Sequence, residues 1–197
     1  MSRRKPERKR KLKIVVDFEM CNVPASKRAG GFPKREIIQI GAVKVGDGFS
    51  VEGEFSTYVR PDRGALDKEI SRLTGISQAD LADSPNLVEA LAQFAEWARG
   101  FGEVLSWGGS DRSQLASEVE AKRIANPEVR RALAQWGDLR AKFASFAPDA
   151  ETSLENAMLA LGVERVGRAH DGLSDARAAA SVAEEIVKRT SSRKEER

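Results

Sequence analysis

Residues 14–19 are Ile14-Val15-Val16-Asp17-Phe18-Glu19, an apolar run that contains two carboxylates. The β-branched residues of segment 12–18 predict a buried strand. Because side chains alternate between the faces of a strand, Asp17 and Glu19 share one face and Phe18 lies on the other. Two carboxylates beside a core must be protonated, paired or bound to cations. Taken alone, however, the Asp-x-Glu pattern is also typical of a strand end that reaches solvent.

The elements around this strand predict the fold class. Strands over 36–45 and 49–59, joined by a hairpin at Asp47-Gly48, extend the sheet in antiparallel fashion. Apolar residues then recur at helical spacing. Helices are predicted at 65–73, 77–81, 86–101, 110–124, 153–161 and 173–189, with strands at 103–107 and 136–143. This order predicts an α/β fold: a mixed five-stranded sheet, three antiparallel strands and then parallel ones, flanked by helices.

Three more polar residues stand where helices begin. Asp111 follows Trp107-Gly108-Gly109-Ser110, and Asp175 follows His170 by five positions. An acid in the first turn of a helix can simply stabilise the helix dipole by about 0.3–1 kcal/mol. His170 is the only histidine of the chain, and a single histidine is more often structural than catalytic. Each of these residues therefore has a structural explanation when it is considered alone.

The set as a whole suits one kind of chemistry. Carboxylate oxygens are the ligands that Mg²⁺ and Mn²⁺ prefer. Two such ions about 3.5–4 Å apart can activate water and stabilise a leaving oxygen in phosphodiester hydrolysis. Histidine is well suited to accepting a proton from that water near neutral pH. The sequence therefore predicts a two-metal hydrolytic site whose members are Asp17, Glu19, Asp111, His170 and Asp175.

The order and local context of these residues resemble one family. Over roughly residues 12–189 the chain resembles the DEDDh-type 3′→5′ exonucleases of the ribonuclease-H-like superfamily. It is most similar to the branch that includes the histone-mRNA 3′ exonuclease and the bacterial sporulation-inhibitor exonucleases. The resemblance rests on Val16-Asp17-Phe18-Glu19, Arg35 to Val43, Tyr58-Val59-Arg60-Pro61, Leu73-Thr74-Gly75-Ile76, Ser106-Trp107-Gly108 with Asp111, and His170 to Asp175.

The resemblance implies a ribonuclease-H-like sheet and a role for each site residue. Asp17 bridges both metal ions, and Glu19 and Asp175 complete the shell of the first. Asp111 holds the second ion through water, and His170 is the general base. The cofactors implied are two Mg²⁺ or Mn²⁺ ions.

The resemblance also implies the substrate and the residues that contact it. The backbone after Glu19, with Met20 and Leu73, would contact the terminal nucleotide at a free 3′ end. The products would be nucleoside 5′-monophosphates released from single strands, with RNA slightly favoured over DNA. One departure is the run Met20-Cys21-Asn22, where proofreading members carry Thr-Thr-Gly, and this argues against a polymerase proofreading subunit.

Positive charge is concentrated at the N-terminus. Residues 3–13 carry a net charge of +7, so the remaining residues carry −4 within the total of +3. We predict a flexible basic tail over 1–11, an exonuclease domain over 12–190 and a disordered polar tail over 191–197. The basic tail could bind phosphates or only aid solubility. Lys27, Arg28, Lys34 and Arg35 flank the loop after the first strand and either bind the substrate backbone or are simply solvated.

The amino-acid composition also indicates the class of protein. With 41% hydrophobic and 32% charged residues, the chain is typical of a soluble domain that needs no membrane partner. A single cysteine excludes an internal disulfide, and we predict a cytoplasmic protein. Three alternatives stay open: a DNA exonuclease for repair or end trimming, a non-catalytic nucleic-acid-binding module, and an interaction protein that uses the basic tail. Deleting residues 1–11 should abolish binding by a tail-dependent binder but leave an enzyme with turnover.

Overall fold

Residues 12–195 are described by a computed structural model, and the predicted basic tail over 1–11 lies outside them. Five strands in this part of the chain form one mixed sheet in the order β3-β2-β1-β4-β5. The strands are β1 (Lys13–Asn22), β2 (Arg35–Val45), β3 (Val51–Tyr58), β4 (Glu103–Ser106) and β5 (Trp136–Asp138). Strands β1 to β3 pair antiparallel, whereas β4 and β5 run parallel to β1. The predicted mixed sheet is confirmed.

Helices cover both faces of this sheet. They are α1 (Lys68–Thr74), α2 (Gln78–Ala82), α3 (Leu87–Trp97), α4 (Ser110–Ala121), α5 (Pro127–Ala134), α6 (Leu139–Phe146), α7 (Leu154–Leu161) and α8 (Gly172–Glu195). Across residues 12–195, no helix combines the length and the apolar composition that a membrane span requires.

The alternation of β1 divides the core into two layers. Ile14, Val16 and Phe18 pack with residues of α3, α4 and α5. Val15 packs in a second cluster with residues of α6, α7 and α8. Because alternate residues share a face, Asp17 lies on the Val15 face, toward α8, and Phe18 lies on the opposite face, as the sequence predicts.

A contact between two glycines brings α8 onto the sheet beside Asp17. Gly41 of β2 pairs with Asp17, and a Cβ atom at Gly41 would lie 1.9 Å from the carbonyl carbon of Gly172. A Cβ atom at Gly172 would lie 3.0 Å from the carbonyl oxygen of Asp17. The two missing side chains therefore allow the first turn of α8 to reach the strand that carries the carboxylates.

Replacing Gly41 with alanine should destabilise the protein by about 3 kcal/mol, since the new methyl group overlaps backbone atoms that cannot move aside cheaply. Urea unfolding would measure the loss. Gly48→Ala is the matched control, because a Cβ atom there has no neighbour within 4 Å. Equal stabilities for the two variants would contradict the close approach of α8 to β2.

The structure differs from the sequence prediction in three places. The strand predicted over 136–143 is β5 only to Asp138, and α6 follows because Asp138 accepts a hydrogen bond from the backbone of Ala141 and begins that helix. Helix α5 was not predicted, although Asn126 caps it and Pro127 is its first residue. The last helix extends to Glu195, so residues 191–195 of the predicted polar tail are helical.

Candidate active site

All five predicted catalytic residues line one cavity of about 420 Å³ beside the central strand β1. Asp17 and Glu19 come from β1, Asp111 from the first turn of α4, and Asp175 from the first turn of α8. His170 comes from the loop that leads into α8. Three separate parts of the chain therefore meet at this cavity.

Helix α4 is bonded directly to β1. The backbone N–H of Phe18 donates a hydrogen bond to Oδ1 of Asp111 at 3.1 Å. Since Phe18 lies between the two carboxylates of β1, this bond fixes Asp111 beside both of them. Asp111 is only 4% exposed, so its placement reflects a specific site and not a solvated helix start.

The loop before α8 is held in an uncommon conformation at His170. This residue has a φ of 59°, in the left-handed region that side chains larger than glycine seldom adopt. Its backbone N–H donates to Oδ2 of Asp175 at 3.0 Å. Oδ1 of Asp171 accepts from the backbone of Ser174 at 2.9 Å and caps the helix. These bonds fix the backbone around His170, whose side chain lines the cavity.

Gln39 of β2 fixes the same loop from the sheet. Its Oε1 accepts from the backbone N–H of Gly172, and its Nε2 donates to Oδ2 of Asp171, both at 3.0 Å. The Gln39 side chain is only 2% exposed, so both of its polar ends are paired inside the protein. No local pattern in the sequence marks Gln39 for this role, because its partner segment lies more than 130 residues away.

The clustered carboxylates raise each other's affinity for protons. Burial, followed by the charges of Asp111 and Glu19, raises the pKa of Asp17 well above its usual range. Burial and the charges of Asp171 and Asp111 raise the pKa of Glu19 to about 7. Burial likewise raises the pKa of Asp111 to about 6. The site therefore favours either protons or cations at neutral pH.

The donor set fits hard divalent cations. One ligand atom each from Glu19, His170 and Asp175 lie within 4.8 Å of one another. Asp17 and Asp111 place two further carboxylates in the same cavity. An oxygen-rich, acidic set of this kind is what Mg²⁺ and Mn²⁺ prefer, and it also explains why the carboxylates tolerate burial.

Divalent cations should therefore stabilise the protein more as the pH rises. The pKa of Glu19 goes from about 4.5 to about 7 on folding, so the cation-free protein loses stability as the pH rises through that window. Mg²⁺ replaces the protons and restores the loss. Thermal melting with Mg²⁺ or with chelator, at pH values on both sides of the window, measures this. An Mg²⁺-induced shift of equal size across the window would contradict the expectation.

Three of the four predicted substrate-binding residues also line the cavity. They are Met20, Arg35 and Leu73, whose side chain is 39% exposed there. Lys34 is exposed but lies outside the residues that line the cavity. Nε of Arg28 donates to the carbonyl oxygen of Val23 and so supports the loop.

A buried ion cluster supports the segment that carries Arg35. Nζ of Lys122 lies 2.8 Å from Oε1 of Glu36 and 3.0 Å from Oε2 of Glu118. Glu118 also accepts from the backbone N–H of Ile37 at 2.8 Å. Because these bonds join α4 to the start of β2, the backbone of Arg35 is held at the rim of the cavity.

The remaining cavity wall contains residues that sequence analysis did not assign to the site. They are Phe18, Asn22, Ile70, Thr74, Ser110, Leu154 and Glu155. Trp107 lines the cavity and also packs against Phe143, with 5.9 Å between the ring centroids. Glu155 at the start of α7 pairs with Arg165, and no local pattern marks either residue.

Comparison with known proteins gives the class to which this fold and site correspond. A family model described as Exonuclease (RNase_T) matches residues 14–183. ERI1 exoribonuclease 2 of Danio rerio is 33% identical over 199 residues, which cover 88% of this chain and 34% of that protein. The chain belongs to the exonuclease family. It spans about a third of the length of this curated relative.

Solved structures agree on the fold. The nuclease domain of 3′hExo, a DEDDh family member bound to rAMP, has a TM-score of 0.77 at 22% identity, covering 92% of this chain and 94% of that domain. E. coli Exonuclease I in complex with a dT13 oligonucleotide has a TM-score of 0.69 at 16% identity, covering 94% of this chain and 43% of that one. The predicted ribonuclease-H-like architecture is confirmed.

Proposed function

We propose that this protein is a metal-dependent 3′→5′ exonuclease that hydrolyses single-stranded nucleic acid, with RNA favoured, to nucleoside 5′-monophosphates. The observation that carries the proposal is the convergence of four carboxylates and His170 on one cavity beside Met20 and Leu73. A chain that kept the fold only for binding would have no need of this complete acidic set, whose burial is costly.

The carboxylates Asp17, Glu19, Asp111 and Asp175 would hold two Mg²⁺ or Mn²⁺ ions. When bound, such ions supply an activated water and stabilisation of the leaving oxygen. The imidazole of His170 accepts the proton from the attacking water. Its backbone bond to Asp175 and the Gln39 contacts to the next two residues keep the backbone of His170 in place for that transfer.

The apolar and basic residues of the cavity rim would select the substrate. Met20 and Leu73 contact the terminal base, and Arg35 pairs with a backbone phosphate. The preference for RNA is supported by the exoribonuclease among the relatives. A structural neighbour binds a dT13 oligonucleotide, so a DNA exonuclease is the alternative. Three statements remain predictions from the sequence: substrate binding by Lys34, phosphate binding by the basic tail over 1–11, and a cytoplasmic location.

A time course with 5′-labelled single-stranded RNA and matched DNA tests the proposal. The reactions contain Mg²⁺, Mn²⁺ or chelator, and one arm uses a 3′-blocked substrate. We expect a metal-dependent ladder that shortens from the free 3′ end and is absent with the blocked strand. Faster DNA degradation would instead favour the DNA exonuclease, and binding without cleavage in either metal would favour the non-catalytic module.

A further inference from the structure

Arg165 places a permanent positive charge against one of the site carboxylates. It lies in the loop between α7 and α8, and its Nη1 donates to Oδ1 of Asp175. Its Nη2 donates to Oε1 of Glu155 at 2.9 Å. The Arg165 side chain is only 15% exposed, so this contact is shielded from solvent.

Both oxygens of Asp175 are engaged in this arrangement. Oδ1 accepts from Arg165, and Oδ2 accepts from the backbone N–H of His170 at 3.0 Å. Asp175 belongs to the donor set that fits a divalent cation. A cation bound to Asp175 would therefore lie next to the guanidinium, and two positive charges at such close range repel each other strongly where water is scarce.

An arginine can respond only by moving, because its guanidinium stays protonated at every pH that the protein experiences. Glu155 is a second carboxylate partner that can keep the guanidinium of Arg165 bound. That carboxylate is 61% exposed and lies at the start of α7, on the wall of the cavity. A guanidinium that has left Asp175 can keep its bond to Glu155 at low cost.

We propose that Arg165 is a positioning residue that acts through Asp175, competing with the divalent cation for this carboxylate and retreating to Glu155 when the cation binds. The inference rests on the proposed function, since it assumes a divalent cation at Asp175. Arg165 thus neutralises part of the acidic cluster before the cation arrives, in agreement with the lowering effect of its charge on the pKa of Asp17. It also weakens cation binding.

Binding of Mn²⁺ alone, measured by calorimetry without nucleic acid, tests this competition. Arg165→Gln should bind Mn²⁺ about tenfold more tightly than the wild type, the scale of effect known for partners of metal ligands. Arg165→Lys keeps the charge and should stay close to the wild type. Arg99→Gln removes one positive charge from an exposed ion pair with Glu96 and serves as the matched control.

Glu155 supplies a second, independent variant. Glu155→Gln leaves Arg165 with Asp175 as its only carboxylate partner among the described contacts, so Mn²⁺ binding should weaken. If Glu155 acts through Arg165, the same change should have no effect in the Arg165→Gln background. An equal effect in both backgrounds would show that Glu155 acts on the cation directly. That result would contradict the proposal that Glu155 holds the guanidinium of Arg165 after it leaves Asp175.

The outcomes separate this inference from the proposed function. If the wild type binds Mn²⁺ and Arg165→Gln binds it equally or more weakly, Arg165 does not compete with the cation for Asp175, and only this inference fails. If the wild type binds no Mn²⁺, both the inference and the metal-dependent function fail. Since no turnover is measured, a slow or unknown substrate cannot be mistaken for either result.

Discussion

Asp17→Asn should lower nuclease turnover by about 10³-fold or more while making the cation-free protein more stable. Turnover falls because the variant loses a carboxylate oxygen and a negative charge from the proposed cation site, whose cavity Asp17 lines. Stability rises because the carboxylate of Asp17 is buried beside Asp111 and Glu19, which raise its pKa. The amide has nearly the same shape but no charge to repel.

The two effects can be measured on the same preparation. In chelator, a gain of about 1 kcal/mol corresponds to a rise in Tm of about 2–4 °C for a protein of this size. In Mg²⁺ the wild type should instead have the higher Tm. The wild type gains about 2.7 kcal/mol of stability at a cation concentration of 100 Kd, and the variant gains little. The reversal distinguishes loss of a cation ligand from ordinary damage to the fold.

Asp149→Asn is the matched control, since it removes the same charge from an exposed residue outside the cavity. Neither its turnover nor its melting with Mg²⁺ should differ from the wild type. A variant at Asp17 that is inactive and also less stable in chelator would indicate a structural carboxylate. That result would remove the physical argument that the acidic cluster exists for cations.

Local periodicity explains where the carboxylates of this site stand, whereas their individual roles were implied by the resemblance to the DEDDh exonucleases. Asp17 and Glu19 share a face because a strand alternates, and Asp111 and Asp175 stand in first turns because apolar spacing sets where their helices begin. The contact that brings α8 to β1 is also encoded simply, by Gly41 and Gly172 at the point of closest approach.

The features that sequence analysis missed depend on tertiary contacts. Segment 136–143 contains residues compatible with either structure, and the cap at Asp138 decides in favour of helix α6. The bond from Gln39 to the loop before α8 spans 132 residues. Arg165 contacts Asp175 across a loop in which Gly167 and His170 both have positive φ values.

The geometry around His170 is compatible with two roles, cation ligand and general base. One of its ring nitrogens lies within 4.8 Å of a carboxylate oxygen of both Glu19 and Asp175, so it could serve as a cation ligand. The resemblance to DEDDh exonucleases instead implies a general base. The exposed position of His170 at the cavity favours the base, because a proton acceptor must reach both the attacking water and the solvent.

His170→Asn separates the two roles. Asparagine tolerates the left-handed backbone better than other non-glycine residues, so the loop should keep its conformation at φ 59°. We expect turnover to fall by about 10²–10⁴-fold, the range typical of a lost general base, while affinity for a 3′-blocked strand is retained.

Calorimetry with Mn²⁺ then decides between base and ligand. If His170 is the base, His170→Asn binds Mn²⁺ as the wild type does, and Mg²⁺ raises the Tm of both by the same amount. Asp17→Asn provides the contrast, since it should lose turnover and cation binding together. If instead His170→Asn loses cation affinity in proportion to its activity, His170 is a ligand, and the proton from the attacking water must go to another group of the cavity.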